Sequence, residues 1–508
     1  MAIIKIQNAE ELKTAKKAIG VGLNLCTTKG TIEDLFNNLT TEDSDNISKK
    51  VFGTPHTSIF EYPDLIIAAD DVSMLFELEL IQYRLASYTI KSRRYVNFTG
   101  KGVVDSMRPH KYDGYDAYID SHINFLFEAY NILVEQGHPK EECRFILPLG
   151  LKSNILFKMN LIELLNMMCS LSEYNHYEFN LIIEVIFHQL KNIFPELFIK
   201  IPNVVSLREM IKPKTTLREL SQLAVIHMNA ENPLYEEVEI ENGIPEELRT
   251  MRKIYGTKED NIPVVNPVNN AGIVTGVKRV LGNLLGMNPD KTDTFEVIRD
   301  NTVKRVLSTN NKILELITTT CTMNFQEVKI SYASLTHLLR HRMQTVLCRP
   351  INISGGIDIG HISDNTEHLA YLKPVVEKHR EYMRVYETLG MDEMELAYFR
   401  LGGDYTLVMQ NANWRELMHM SHLRKCNRAQ FEINDIVTKI VDTLGVEQFI
   451  PFDPVLKELG ELSIDDTITK YFNAPCAYGT CKEGRFSCGK PVNVVYGKNM
   501  QDPLKPKE

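Results

Sequence analysis

The sequence predicts an α+β chain built as two tandem copies of one unit, and three observations lead there. Residues 1–215 alternate helical patterns with short strand-like runs. Residues 225–300 loosen into "NAENPLYEEVEIENGIPEEL" and "NIPVVNPVNNAG", with the prolines, asparagines and glycines of connections. From about 300 the first texture returns, and three stretches recur in order. "HTSIFEYPDLII" (56–67) is echoed by "NNKILELITT" (310–319), "VSMLFELELIQYRLASY" (72–88) by "ISYASLTHLLRHRMQTV" (330–346), and "LKSNILFKMNLIELLNMM" (151–168) by "GDYTLVMQNANWRELMHM" (403–420). Ordered echoes at kept spacing mark a diverged internal duplication. The expected division is 1–215 for the first copy, 216–300 for a connecting segment and the start of the second, 301–470 for the second copy, and 471–508 for a cysteine-containing tail.

The elements follow in order. "MAIIKIQNAEELKTAKKAIG" reads as a short strand then a helix, without the layout of a signal peptide. Ser92, Arg93 and Arg94, in "ASYTIKSRRYV", are expected to follow a helix. The Met-rich run "FKMNLIELLNMM" is expected in the core. "ANWRELMHMSHLRKCNRAQFEINDIVTKIVDTLGV" reads as one helix, or two in close succession. Leu417, Met420, Leu423, Ile433, Ile436, Val437, Ile440 and Leu444 form its apolar stripe. Arg415 and His419 stand four apart on one face, as do Arg424 and Arg428.

Composition narrows the function. A net charge of −9 argues against a general nucleic-acid binder, so any anion site must be a local set of cations. No apolar run approaches the ~20 residues that span a bilayer. Nine scattered cysteines fit a reducing cytoplasm better than a disulfide framework. "GVGLNL" (20–25) lacks the third glycine of a dinucleotide-binding turn, which argues against a Rossmann flavoprotein.

The cations are divided between the copies. Arg340, His341 and Arg342 follow an apolar run with no carboxylate nearby in sequence, and Arg415, His419, Arg424 and Arg428 lie downstream. Like charges at helical spacing favour an anion between them. At the equivalent places the first copy has Gln82, Tyr83, Ile162 and either Leu171 or Ser172. It has instead Ser92, Arg93 and Arg94, with Arg144 in "CRFILPL"; the second copy has Asn352 and, roughly, Tyr398 there. Each copy keeps what the other lacks.

"RHR" followed by "LRKCNRAQFEI", with "HTSIFEY" and "SRRY" in the first copy, resembles the flavin-dependent thymidylate synthase family. The likeness covers about 50–215 and 300–450, with departures: the first copy's RHR has become Gln82-Tyr83-Arg84, and Pro350 replaces the serine expected after the second copy's RHR. The resemblance implies a mixed or antiparallel sheet flanked by long helices. It implies tetramers with active sites between subunits, and here a homodimer of fused chains mimicking the tetramer, with one working site type per chain. It implies reductive methylation of deoxyuridine monophosphate (dUMP) to dTMP, with methylenetetrahydrofolate as carbon donor and NADPH reducing FAD. Ser92, Arg93, Arg94, Arg144, His337 and Arg424 would bind the nucleotide. Arg340, His341, Arg342, Asn413, Arg415, His419, Leu423, Arg428, Ser58 and Glu61 would hold the cofactor, and Arg424 and Arg340 would carry the catalysis. His56 is either a flavin contact or a helix cap. His337, where the family often has glutamine, and Ile90, where it has an acidic or polar residue, leave another pyrimidine nucleotide or 5-hydroxymethylation open. A non-catalytic nucleotide-binding scaffold is the further alternative. No nucleic acid or membrane partner is expected.

The tail "PCAYGTCKEGRFSCG" places Cys476, Cys481 and Cys488 within reach of one another in sequence, with Cys426 as a fourth thiolate. Four thiolates suit a structural zinc or an iron–sulfur cluster; unliganded thiols are the alternative.

Overall fold

The computed structural model describes residues 2–54, 57–108, 114–174, 176–211, 265–266, 322–348, 366–449 and 472–478. His56, Pro350, Asn352, Cys481, Cys488, the 310–319 echo and nearly all of the expected connecting segment lie outside them. By contact the chain forms two compact units: Met1–Val238 with Pro350–Asp404, and Glu239–Arg349 with Tyr405–Glu508. The described residues 366–404, placed by sequence in the second copy, thus group with the first unit. No helix among the described residues is long and apolar enough to cross a membrane.

The first unit holds β1 (Ile3–Ile6), α1 (Leu12–Leu25), α2 (Ile32–Asn38), α3 (Thr41–Val51), β2 (Asp64–Ser73), α4 (Met74–Leu80), β3 (Ala86–Ile90), α5 (Asp116–Glu135) and α6 (Lys140–Cys143). It continues with β4 (Lys152–Asn160), α7 (Leu161–Leu171), α8 (Tyr177–Ile193), α9 (Pro195–Phe198) and α10 (Val204–Ile211). Its four strands run antiparallel in the order β1-β2-β4-β3. Alternation sets the buried face: Leu65, Ile67 and Ala69 on β2 and Ile155, Phe157 and Met159 on β4 are buried. The expected strand-then-helix at the N-terminus is present, and Met159, Met167 and Met168 are core residues. Ser92–Arg94 follow strand β3 and not a helix; α4 already ends at Leu80, before the β-branched and aromatic run of β3.

Two later helices belong to this unit, α12 (Thr366–Thr388) and α13 (Glu393–Ala397), which come in chain order after α11 (Tyr332–Leu338) of the second. The stretches α5–α6 and α12–α13 end their long helices alike. Gly137 (φ +84°) and Gly390 (φ +77°) follow α5 and α12, and the next amides, of His138 and Met391, reach back to the Leu133 and Tyr386 carbonyls. The segments after α6 and α13 then pair reciprocally. Leu149 N–H donates to the Arg400 carbonyl at 2.7 Å and Gly402 N–H to that of Leu147 at 2.8 Å. Gly150 and Gly403 donate likewise to Tyr398 and Phe145.

The second unit holds β5 (Val265–Asn266), β6 (Thr322–Ser331), α11 (Tyr332–Leu338), β7 (Thr345–Cys348), β8 (Tyr405–Asn413), α14 (Trp414–Arg424) and α15 (Phe431–Phe449). Its strands are antiparallel in the order β5-β6-β8-β7, matching the first unit's order position for position. Details recur inside the elements. Ser73 caps α4 by accepting from Phe76 N–H, and Ser331 caps α11 by accepting from Ser334 N–H. The Glu178 carboxylate takes the amide and hydroxyl of Ser73, and Glu432 takes those of Ser331. Asn160 caps α7 and Asn413 caps α14, helices of 11 residues each. These caps set 160 against 413, one residue on from the register that the sequence echo suggests.

Candidate functional site

In the second unit α11 is short because residues 340–344 turn back into β7, which pairs with β8. That turn carries Arg340, His341 and Arg342. Arg340 and Arg342 are exposed, while His341 is buried at 3% exposure. Asn413 and the first turn of α14 bring Glu416 to His341: imidazole Nδ1 and carboxylate Oε1 are 3.1 Å apart. Arg424, the last residue of α14, donates Nε–H to His341 Nε2 at 2.8 Å and an Nη2 hydrogen to the His337 carbonyl at 3.0 Å. Burial holds the His341 pKa below the usual histidine range, against the raising effect of the Glu416 hydrogen bond. The exposed His419 packs edge-on to His341, with ring centres 5.6 Å apart, and Arg415 is exposed on the same helix.

The long helical run takes the second of its two readings: two helices in close succession, α14 and α15, broken at 425–430. Two expectations are corrected. Arg428 therefore lies in the break, its amide donating to the Cys426 thiol, and does not share a helix face with Arg424. Leu423 leaves the apolar stripe and is 47% exposed, whereas Leu417, Met420, Ile433, Ile436, Val437 and Ile440 are buried.

In the first unit Arg94 and Arg144 meet on one residue. Arg94 Nε donates to the Glu141 carboxylate at 2.6 Å, and Arg144 Nε donates to the Glu141 carbonyl at 3.1 Å. Arg144 is buried; Ser92, half-buried, accepts the Arg94 amide. Arg93 points inward, buried at 5% exposure, and pairs with Glu77 at 2.8 Å. Tyr398, which follows α13 as Arg144 follows α6, is buried and donates to Glu178. Ser58 and Glu61 are exposed in a single 3₁₀ turn, and the Glu61 charge helps raise the pKa of Glu163, after burial the main cause. Glu77, Glu141 and Glu416 went unread in the sequence; the last two carry a local signal, three residues before Arg144 and three after the cap Asn413.

The metal expectation gains no ligand set. Cys426 and Cys476 are half-buried thiols, Cys481 and Cys488 lie outside the described residues, and among those residues no group of three or more His, Cys, Asp or Glu could hold a metal.

Comparison with known proteins agrees with the motif reading. Residues 9–196 match the family model described as thymidylate synthase complementing protein. A flavin-dependent thymidylate synthase of Geobacter sulfurreducens is 26% identical over 166 residues, 32% of this chain and 71% of that protein. One of Thermococcus kodakarensis is 30% identical over 135 residues, 26% of this chain and 55% of its own length. A solved UMP/dUMP methylase of Streptomyces cacaoi, bound with 5-Br dUMP, covers 39% of this chain and 95% of its own at 16% identity and a TM-score of 0.31. The likeness to the thymidylate synthase complementing protein family thus lies in residues 9–196.

Proposed function

We propose that this chain is a flavin-dependent methyltransferase acting on C5 of a pyrimidine nucleotide, with dUMP as substrate, methylenetetrahydrofolate as carbon donor and NADPH reducing FAD. The carrying observation is the Arg424 guanidinium, fixed by His341 and the His337 carbonyl. Uracil C5 is a weak nucleophile, and a cation at the N3–O4 edge favours the anionic ring. A donor held before charge develops contributes on the order of 3 kcal/mol to such a transition state. Arg94 and Arg144, with the Ser92 hydroxyl, suit a 5′-phosphate, whose oxygens accept guanidinium forks. The Glu141 carboxylate on Arg94 makes a similar demand on the same donor.

The exposed Arg340, Arg342, Arg415 and His419 fit an anionic flavin dinucleotide, whose pyrophosphate and N1–C2 edge take such donors. Asn413, Leu423, Arg428, Ser58 and Glu61 are assigned to the same ligand by resemblance. Bound flavin would supply the hydride that completes the methyl group.

The matching strand orders, caps and Ser–Glu clamps support two diverged copies. On the division of residues in sequence, the working site draws on both sets, in a homodimer replacing the tetramer. His337, buried beside Arg424, favours a second reading in which another pyrimidine nucleotide is the substrate.

Purified full-length chain is expected to be yellow, with flavin absorbance at about 450 nm. It should release tritium from C5-labelled dUMP when folate and NADPH are supplied. Arg424→Ala should lower kcat roughly 10²- to 10³-fold with the flavin retained. A colourless, folded chain that takes up no added FAD would sink the reading. Flavin binding with tritium release from a different pyrimidine nucleotide alone would select the second.

A further inference from the structure

The geometry points to Glu416 as a positioning residue that fixes the tautomer of His341 and, through it, the Arg424 guanidinium. The inference rests on the function proposed for Arg424 and extends it to a carboxylate that no motif includes. An arginine Nε–H can only donate. Its 2.8 Å contact therefore requires a lone pair on His341 Nε2. The ring, buried at 3% exposure, must then carry its proton on Nδ1, and Nδ1 faces Glu416 Oε1 at 3.1 Å. Glu416 is itself buried at 3% exposure, and its place is set by the Asn413 side chain, which accepts the Glu416 amide at 2.9 Å. The chain of contacts runs from helix cap to carboxylate, imidazole and guanidinium. With no acceptor at Nδ1, the ring can turn to the Nε2–H tautomer, whose hydrogen would oppose Arg424 Nε–H.

The competing account is that Glu416 only favours the first turn of α14 through the helix dipole. The first unit separates the two. Glu163 occupies the same third position of α7, with its amide on the Asn160 cap, but Tyr83 stands where the second unit has His341. Carboxylates thus recur at the helix start, whereas the imidazole and terminal arginine occur only in the second unit.

The test compares Glu416→Gln, Glu416→Met and Glu163→Met in the full-length chain. Side-chain ¹⁵N resonances of the histidines are recorded, with His341 assigned by its own substitution. Wild type should show the Nδ1–H form. Glu416→Gln, which keeps an acceptor oxygen, should retain that form and most of kcat. Glu416→Met should lose the single tautomer and lower kcat roughly 10- to 100-fold, the usual effect of removing an orienting partner. Its KM for the nucleotide should rise less. Glu163→Met should cost stability with His341 unchanged. If Glu416→Met keeps the Nδ1–H form, or if Gln and Met lower kcat equally, the positioning role is overturned. Should Glu416→Met fail to fold, Glu416→Gln decides alone: loss of its Nδ1–H signal overturns the role. The tautomer readout needs no turnover, so a chain with the expected resonances but no methyl transfer would refute the proposed function and leave the relay standing.

Discussion

Arg93 and Arg94 are neighbours in sequence with opposite fates. Both lie in the turn after β3, which places Arg93 in the core and Arg94 on Glu141. The Arg93–Glu77 pair is enclosed, at 4% and 0% side-chain exposure. Removing one member leaves the other charge buried without its partner, which costs about 3–5 kcal/mol. Arg93→Met is therefore expected to lower unfolding free energy by that order in urea titration. The double substitution Arg93→Met with Glu77→Leu should recover most of it. Arg94→Met should instead raise the nucleotide KM. A stability loss for Arg94→Met as large as for Arg93→Met would reverse the assignment. None of this was legible in "SRRY", where the two side chains look interchangeable. The turn after β3 decides between them, and Glu77 lies inside an apolar run that gives no sign of an ion pair. The Arg424–His341 contact was half legible: both residues stood out in the sequence, but the 340–344 turn and the end of a helix, not their spacing, bring them together.

At the scale of elements, α5 and α12 are joined by a buried histidine pair. His122 Nε2 and His379 Nδ1 are 2.9 Å apart, and His122 Nδ1 lies 3.0 Å from the Tyr386 hydroxyl. The His122 ring stacks on Tyr382, and both histidines are fully buried. Burial, the main cause, lowers both pKa values, His379 to about 3, and the neighbouring Arg380 adds to the effect. Between that value and the ordinary 6.5 the unfolded chain binds protons that the folded one does not. Stability must then fall as pH drops through 6.5, by up to about 1.4 kcal/mol per pH unit for each histidine. Denaturant titrations at pH 7.5 and 5.5 should show this, and His122→Phe with His379→Phe should flatten the difference. Equal pH dependence in wild type and variant would exclude the pair as its source. Neither histidine was legible as a partner of the other, because 257 residues separate them and the contact depends on residues 366–404 packing in the first unit. The helix caps were more open to reading: the 72–88 echo already set Ser73 against Ser331. Leu423 misled because the apolar spacing of α14 continues into its exposed last turn.

For the whole molecule, the two units have matching frames and different chemistry. Ten residues beyond the caps Ser73 and Ser331 stand Tyr83 and His341; at the ends of α7 and α14 stand Leu171 and Arg424. Gln82 stands at the place of Arg340, Ile162 at that of Arg415 and Asn166 at that of His419. Where His337 stands in the second unit the first has Glu79, buried at 1% exposure and bonded to Gln82 and Tyr174, its pKa pushed by burial up to about 7. A carboxyl that gains negative charge near neutrality disfavours an anionic ligand beside it. On the proposed reading the described residues of the first unit therefore do not repeat the cations of the flavin cradle, and one FAD per chain is expected. Titration of flavin-free chain with FAD, followed by fluorescence quenching, should saturate at one equivalent. Arg342→Ala with Arg415→Ala should abolish that equivalent, whereas Tyr83→Phe should leave it intact. Saturation at two equivalents, or retention of the single one after both arginines are removed, would show that the flavin is held by groups other than those kept in the second unit.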